Sequence, residues 1–185
     1  MFTGIVKDLG VIESIRGGRV TVRTGLEGVS PGDSVMVDGV CLTAGSVAPG
    51  KVRMDIGRET LSRTSLGNLR SGSKVNIEDA LTLSSRVGGH LVYGHVMETG
   101  RVMSLRRSSN TLLMRIRASR GFLSKIFPKG SVAVNGVSLT VNTVRKDFFE
   151  VGIIPETLQR TNLGLLKVSG RVNLEADLLL AAAGS

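Results

Sequence analysis

The chain of 185 residues predicts an all-β protein: two tandem, similar Greek-key barrels with short helices and a short C-terminal helix. Three observations predict it. The second half of the chain copies the first. Short segments that alternate apolar with polar residues, or are rich in Val and Ile, recur between Gly and Pro punctuation. Asp38-Gly39 and Asn135-Gly136, each between apolar flanks, are two-residue hairpin signals, because that turn needs positive φ at both central positions.

The repeat sets the domain plan. Pro31 to Thr43 aligns with Pro128 to Thr140 at a shift of 97, with 8 of 13 positions identical. Glu59 to Gly67 matches Glu156 to Gly164 at the same shift with 7 of 9 identical, and Lys74 to Glu78 matches Arg171 to Glu175. Upstream the shift falls to 90, pairing Gly4-Ile5-Val6 with Gly94-His95-Val96. The copies therefore run over 1–87 and 88–185, each of ordinary domain size. Within the first copy Val20 to Thr24, Ser34 to Val37 and Lys51 to Ile56 read as strands, and their partners repeat the pattern. Glu59 to Leu66 and Glu156 to Leu163 read as short helices, each closed by a left-handed glycine cap at Gly67 and Gly164. Ser119 to Phe127 is a further helix in the second copy, and Leu174 to Ser185 is of helical type.

Composition excludes whole classes. With 41% hydrophobic and 21% charged residues the chain is neither disordered nor a coiled coil, and one cysteine, Cys41, allows no internal disulfide and favours a reducing compartment. The apolar run Leu178 to Ala183 is far short of the roughly 20 residues that span a bilayer, so no membrane association and a cytoplasmic location are expected. Lys plus Arg exceed Asp plus Glu by 24 to 15, and the densest basic stretch runs from Arg101 to Lys129. A basic surplus can attract nucleic acid or a phosphorylated substrate, yet no docking motif or aromatic platform accompanies it, so no nucleic-acid partner is expected.

No nucleophile elbow, phosphate loop, dinucleotide fingerprint or cysteine pair is present. His90 and His95 are five apart, which on a strand points them to opposite faces and argues against a shared metal. The informative contrast lies between the copies, where Cys41 stands opposite Ser138 and Ile5 opposite His95. Two half-sites of similar shape with different reactive groups suit a reaction in which two like molecules play different roles. The plainer readings stand beside this one. A single Cys on an apolar strand is commonly a small buried hydrophobe, and His95 is as well placed to be a structural histidine as a base.

The opening Met1 to Val6, the central Gly88 to His95, the doubled Gly-Val-(Cys/Ser)-Leu-Thr and Glu-Thr-Leu-x-Arg-Thr-x-Leu-Gly blocks, and the Val172 to Glu175 ending resemble the riboflavin synthase family of α-chain type. The resemblance covers nearly the whole chain. It implies two similar six-stranded barrels, each binding one 6,7-dimethyl-8-ribityllumazine, and a dismutation that needs no cofactor or metal. One lumazine would give a four-carbon unit to the other, yielding riboflavin and 5-amino-6-ribitylamino-2,4-pyrimidinedione. Carried over by motif, the binding segments fall on Gly4, Ile5 and Val6, on Cys41, Leu42 and Thr43, and on Asp55, Ile56, Gly57, Arg58, Glu59 and Thr60 in the first barrel. In the second they fall on Gly94, His95 and Val96, on Lys129, on Ser138, Leu139 and Thr140, and on Ile154, Pro155, Glu156, Thr157, Leu158 and Gln159. Phe2 would line the pocket. His95 would assist removal of a proton from a ring methyl group, Cys41 or Ser138 would add to or polarise the partner ring, and Thr43, Thr60, Thr140 and Thr157 are suited to the ribityl hydroxyls. The family's reactive pocket lies between the first barrel of one subunit and the second of its neighbour in a homotrimer. Ten residues follow Glu175 here, so the trimer helix would be shorter than usual in the family. A binder of the same fold, holding lumazine or flavin as an antenna, is the alternative.

Overall fold

The computed structural model describes residues 1–179. Its first closed barrel consists of β1 (Asp8–Arg16), β2 (Arg19–Arg23), β3 (Ser34–Val37), β4 (Val40–Ala48), β5 (Lys51–Asp55) and β6 (Lys74–Asp79), in the spatial order β1-β2-β5-β4-β3-β6. A short helix, α1 (Arg58–Arg63), runs into a 3-10 turn at Ser65–Asn68 before β6. The second barrel repeats this order with β7 (Glu98–Ser108), β8 (Thr111–Arg117), β9 (Ser131–Val134), β10 (Val137–Val144), β11 (Phe148–Ile153) and β12 (Arg171–Ala176). It adds α2 (Arg120–Leu123), shorter than the sequence predicts, and α3 (Pro155–Arg160), followed by a 3-10 turn at Asn162–Leu165. Leu174 to Ala176 complete β12 instead of starting a tail helix, because their alternate side chains close the second core; positions 180–185 of that expected helix lie outside the described residues.

Alternation builds each core. Val20 and Val22 of β2, Val52 and Met54 of β5, and Val75 and Ile77 of β6 point inward and are almost wholly buried. Four β-bulges, at Glu13, Gly45, Met103 and Asn142, occupy matching places in the two barrels. Each sharpens the twist that closes so small a barrel.

Both hairpins form as predicted, with Asp38 and Gly39 at φ 48° and 81° and Asn135 and Gly136 at 47° and 76°. They also meet each other: a Cβ on Gly39 would lie 2.8 Å from the Gly136 backbone nitrogen, and one on Gly136 2.8 Å from that of Gly39. Around this contact a pseudo-symmetric polar seam joins the barrels. Asn76 donates through Nδ2 to the Asn135 carbonyl (2.9 Å), and Asn173 donates to that of Asp38 (2.7 Å). The side-chain carbonyls of Asn76 and Asn173 accept from the backbone N–H groups of Asn162 and Ser65 at 2.7 and 2.6 Å. Every one of these groups is buried, so the seam fixes the relative orientation of the barrels through directional bonds.

Gly67 and Gly164 do not serve as left-handed caps. They sit inside the 3-10 turns without positive φ, and a Cβ there would lie 2.2 Å from the carbonyl oxygens of Leu61 and Leu158 respectively. The glycine is required by close approach of the turn to the helix behind it. Gly164→Ala is therefore expected to destabilise the fold by roughly 1–3 kcal/mol through overpacking, read as a lower denaturant midpoint.

Candidate functional site

Cys41 and Thr43 lie on the outer face of β4, while the intervening Leu42 points into the first core and is 6% exposed. Ser138 and Thr140 repeat this on β10, with Leu139 turned into the second core. Leu42 and Leu139 therefore present only backbone at a site, since their side chains fill the barrels. The strand partner β5 joins β4 only from Ala44 onward, and β11 joins β10 only from Val141. The N–H groups of Cys41 and Ser138 are thus left at open edges.

Two irregular segments fill those edges, and they cross. Residues around Phe2 and Val92 pair antiparallel, with N–H to O distances of 2.7 and 3.0 Å. From there the N-terminal segment reaches the second barrel, where the Gly4 carbonyl accepts from Ser138 N–H (2.8 Å), and Val6 packs against the second core. The segment before β7 reaches the first barrel, where the Gly94 carbonyl accepts from Cys41 N–H (2.9 Å) and Val96 packs against the first core. Gly4 and Gly94 have φ of 72° and 78°, and a Cβ on either would fall within 2.7 Å of the Cβ of Ser138 or Cys41. Chain halves would group Gly4 to Val6 with Cys41 and Gly94 to Val96 with Ser138; the structure exchanges them.

Each segment is held by a buried glutamate. Glu175, on β12, accepts from the backbone N–H groups of Tyr93, Gly94 and His95 at 2.7, 3.0 and 2.9 Å. Glu78, on β6, accepts from Thr3 N–H (2.7 Å), Thr3 Oγ1 (2.6 Å) and Gly4 N–H (3.1 Å). Burial pushes both carboxyls above their ordinary range, against the opposing pull of these donors.

The Ser138 half-site contains a residue that the sequence reading passed over. His90 is 8% exposed, and its Nδ1 lies 2.7 Å from Ser138 Oγ. Its Nε2 is buried with no hydrogen-bond partner among the described residues. Burial lowers the imidazole pKa below 6.5, with the charge of nearby Asp177 opposing, so the ring favours its neutral form at neutral pH. Gly89 lies directly beneath: a Cβ there would be 2.3 Å from the Thr3 carbonyl and 2.8 Å from Ser138 Oγ. The shift of 90 that pairs Gly4 with Gly94 leaves His90 with no counterpart in the first copy, so comparison of the repeats is blind to it. The Gly88-Gly89-His90 run was the available signal.

At the Cys41 half-site, Cys41 is half-buried and His95 is exposed, with its ring 6.3 Å from that of Tyr93. Phe2 is completely buried with Met36, Val92 and Ala133, and Cys41 packs against this cluster. Its ring therefore supports the site from below and lines no opening. Ile56 is likewise a core residue, whereas Ile5 and Ile154 are exposed at 43% and 55%. Of the segments from the end of β5 and after β11, Asp55, Gly57, Arg58, Glu59, Pro155, Glu156 and Gln159 are exposed, and Thr60, Thr157 and Leu158 are half-buried. Asp55 pairs with Arg19 (3.4 Å), Glu59 with Arg63 (3.2 Å) and Glu156 with Arg160, each within its own barrel. Lys129 is exposed in a turn with φ 73°, its N–H bonded to the Val141 carbonyl at 2.7 Å.

Comparison with known proteins places this arrangement. The family model described as the lumazine binding domain matches twice, at residues 3–80 and 93–177. The chain is 41% identical to riboflavin synthase of Actinobacillus pleuropneumoniae, over 97% of this chain and 86% of that protein. It is 42% identical to riboflavin synthase of Mycobacterium tuberculosis strain H37Rv, over 97% and 94%. Among solved structures, LumP complexed with riboflavin superposes with a TM-score of 0.88 at 26% identity, covering 95% of this chain and 99% of that one.

Proposed function

Because this chain belongs to the lumazine-binding domain family, we propose that it is a riboflavin synthase acting in the cytoplasm: it dismutates two molecules of 6,7-dimethyl-8-ribityllumazine into riboflavin and 5-amino-6-ribitylamino-2,4-pyrimidinedione. One observation carries the reading. The chain keeps two complete, similarly built half-sites that differ in their reactive side chain, Cys41 in one and Ser138 with His90 in the other. A single-ligand binder has no use for the second.

The chemistry divides between positioning and proton transfer. Holding two heterocycles face to face replaces a bimolecular encounter and supplies effective molarities on the order of 10⁵ M. Neutral His90 accepts a proton through Nδ1 from Ser138 Oγ or, by way of that hydroxyl, from the ring-conjugated methyl group of a bound lumazine. Cys41 adds to or polarises the other lumazine. Thr43 and Thr140, on the same outer faces, offer hydroxyls to the ribityl chains. Both half-sites open on outer barrel faces, so in this reading a neighbouring subunit covers them and donor and acceptor lumazines meet between subunits of a homotrimer.

The likeness to LumP favours a second reading, a flavin or lumazine carrier without chemistry. Incubation with 6,7-dimethyl-8-ribityllumazine and no added cofactor separates the two: one riboflavin per two lumazines consumed is expected, and tight binding without riboflavin would install the carrier reading.

A further inference from the structure

We propose that Glu78 and Glu175 are positioning residues that act across the molecule: Glu78, on the first barrel, sets the Ser138 half-site of the second, and Glu175, on the second barrel, sets the Cys41 half-site of the first. The functional consequence rests on the riboflavin synthase reading, while the structural crossing does not. Neither glutamate touches Cys41 or Ser138; each acts through the backbone segment that it holds.

Tyr93, Gly94 and His95 lie outside any strand, so no ladder partner takes their N–H groups, and the Glu175 carboxylate receives all three. Three converging donors demand a group that only accepts, with more than one oxygen. Gln keeps one oxygen and would aim an NH₂ at a donor. Glu78 does the same for Thr3 and Gly4. The segments so fixed hand their glycine carbonyls to the opposite barrel, Gly94 to Cys41 N–H and Gly4 to Ser138 N–H. Val96 and Val6 complete the crossing by packing into those same opposite cores. Each half-site therefore draws its reactive strand from one barrel and its positioning carboxylate from the other. A displacement of about 1 Å at such a segment can cost on the order of 10² in rate, so either glutamate governs turnover from a distance.

Because Cys41 is the sole cysteine, its alkylation reports on one half-site alone. Iodoacetamide labelling of the full-length protein is compared for the parent, Glu175→Gln and Glu78→Gln, with and without 6,7-dimethyl-8-ribityllumazine. Glu175→Gln is expected to raise the rate at Cys41 roughly tenfold by freeing the covering segment, and to abolish protection by lumazine. Glu78→Gln, which reaches Cys41 only through Phe2 next to Thr3, is expected to change labelling and protection much less than Glu175→Gln does while riboflavin formation falls. Equal effects of the two variants on Cys41, or a larger effect of Glu78→Gln, would overturn the crossed assignment. If a Gln variant does not fold, Glu78→Asp and Glu175→Asp, which retain the charge but shorten the reach, must give the same ordering in weaker form. Absence of lumazine protection in the parent would count against the synthase reading alone, because the ligand-free labelling rates still decide the crossing.

Discussion

His90→Ala is expected to lower kcat for riboflavin formation by roughly 10² to 10⁴, the range associated with loss of a positioned acid or base. His90 Nδ1 is 2.7 Å from Ser138 Oγ, and the ring is the one imidazole in contact with a nucleophile-type side chain among the described residues. Ser138→Ala should fall in the same range, and the double variant should be little worse than either single, since residues acting as a unit are not additive. The pH profile checks the role independently of stability. Burial lowers the His90 pKa in the ligand-free protein, so the neutral, competent form persists below pH 6.5 and the acid limb of kcat/KM falls below the ordinary imidazole range. His90→Gln, which can keep a hydrogen bond to Ser138 without titrating, should lose both that limb and the rate. Parental turnover in His90→Gln would show that proton transfer at Ser138 plays no part.

Asp38→Asn is expected to stabilise the protein above neutral pH by up to about 4 kcal/mol and to flatten its stability profile. Asp38 is 2% exposed in the seam between the barrels, and desolvation raises its pKa from 3.8 to about 7, against the opposing hydrogen bonds from Asn76 and Asn162. The native pKa exceeds the unfolded one. Its contribution is therefore complete below about pH 3.8 and is lost as pH rises toward about 7, where a charge must be held inside the protein. Its pseudo-symmetric counterpart is Asn135, which accepts from Asn173 N–H (2.8 Å) and donates through Nδ2 to Asn162 Oδ1 (3.2 Å). An asparagine at position 38 would keep the acceptor that Asp38 Oδ1 offers to Asn76 N–H (2.7 Å) and Asn162 Nδ2 (2.8 Å). Ser65, the counterpart of Asn162 in the first copy, has its Oγ buried with no partner among the described residues. Chemical denaturation at pH 5 and pH 8 measures the effect. Equal pH dependence in parent and variant would remove Asp38 as its source.

Most of the architecture was legible in one dimension because its causes are local. Alternation placed β2, β3 and β5 and their counterparts in the second barrel, and Asp38-Gly39 and Asn135-Gly136 announced their hairpins, since positive φ at consecutive residues is a property of those residues alone. In one dimension Gly67 and Gly164 look like caps, because a glycine after a helix has a familiar local meaning. Their true constraint is a carbonyl six residues back that only the folded turn brings close.

The candidate site was half legible for the same reason. Repeat comparison picked out Cys41 and Ser138 as equivalent positions with different chemistry, and the structure sets both on outer faces at open strand edges. It ranked His95 above His90, since only His95 has a partner in the other copy, whereas the contact of His90 with Ser138 spans 48 residues of chain. The family resemblance implies Phe2 as a lining residue, whereas tertiary packing uses its ring to fill the space between barrels. By itself, then, the sequence determined the two barrels, their turns and the matching reactive positions, because periodicity, turn preference and duplication are written residue by residue. Only the tertiary structure decided which segment completes which half-site, because an unpaired edge N–H takes whatever carbonyl the packing of two barrels brings within about 3 Å, and that is a property of the seam between them.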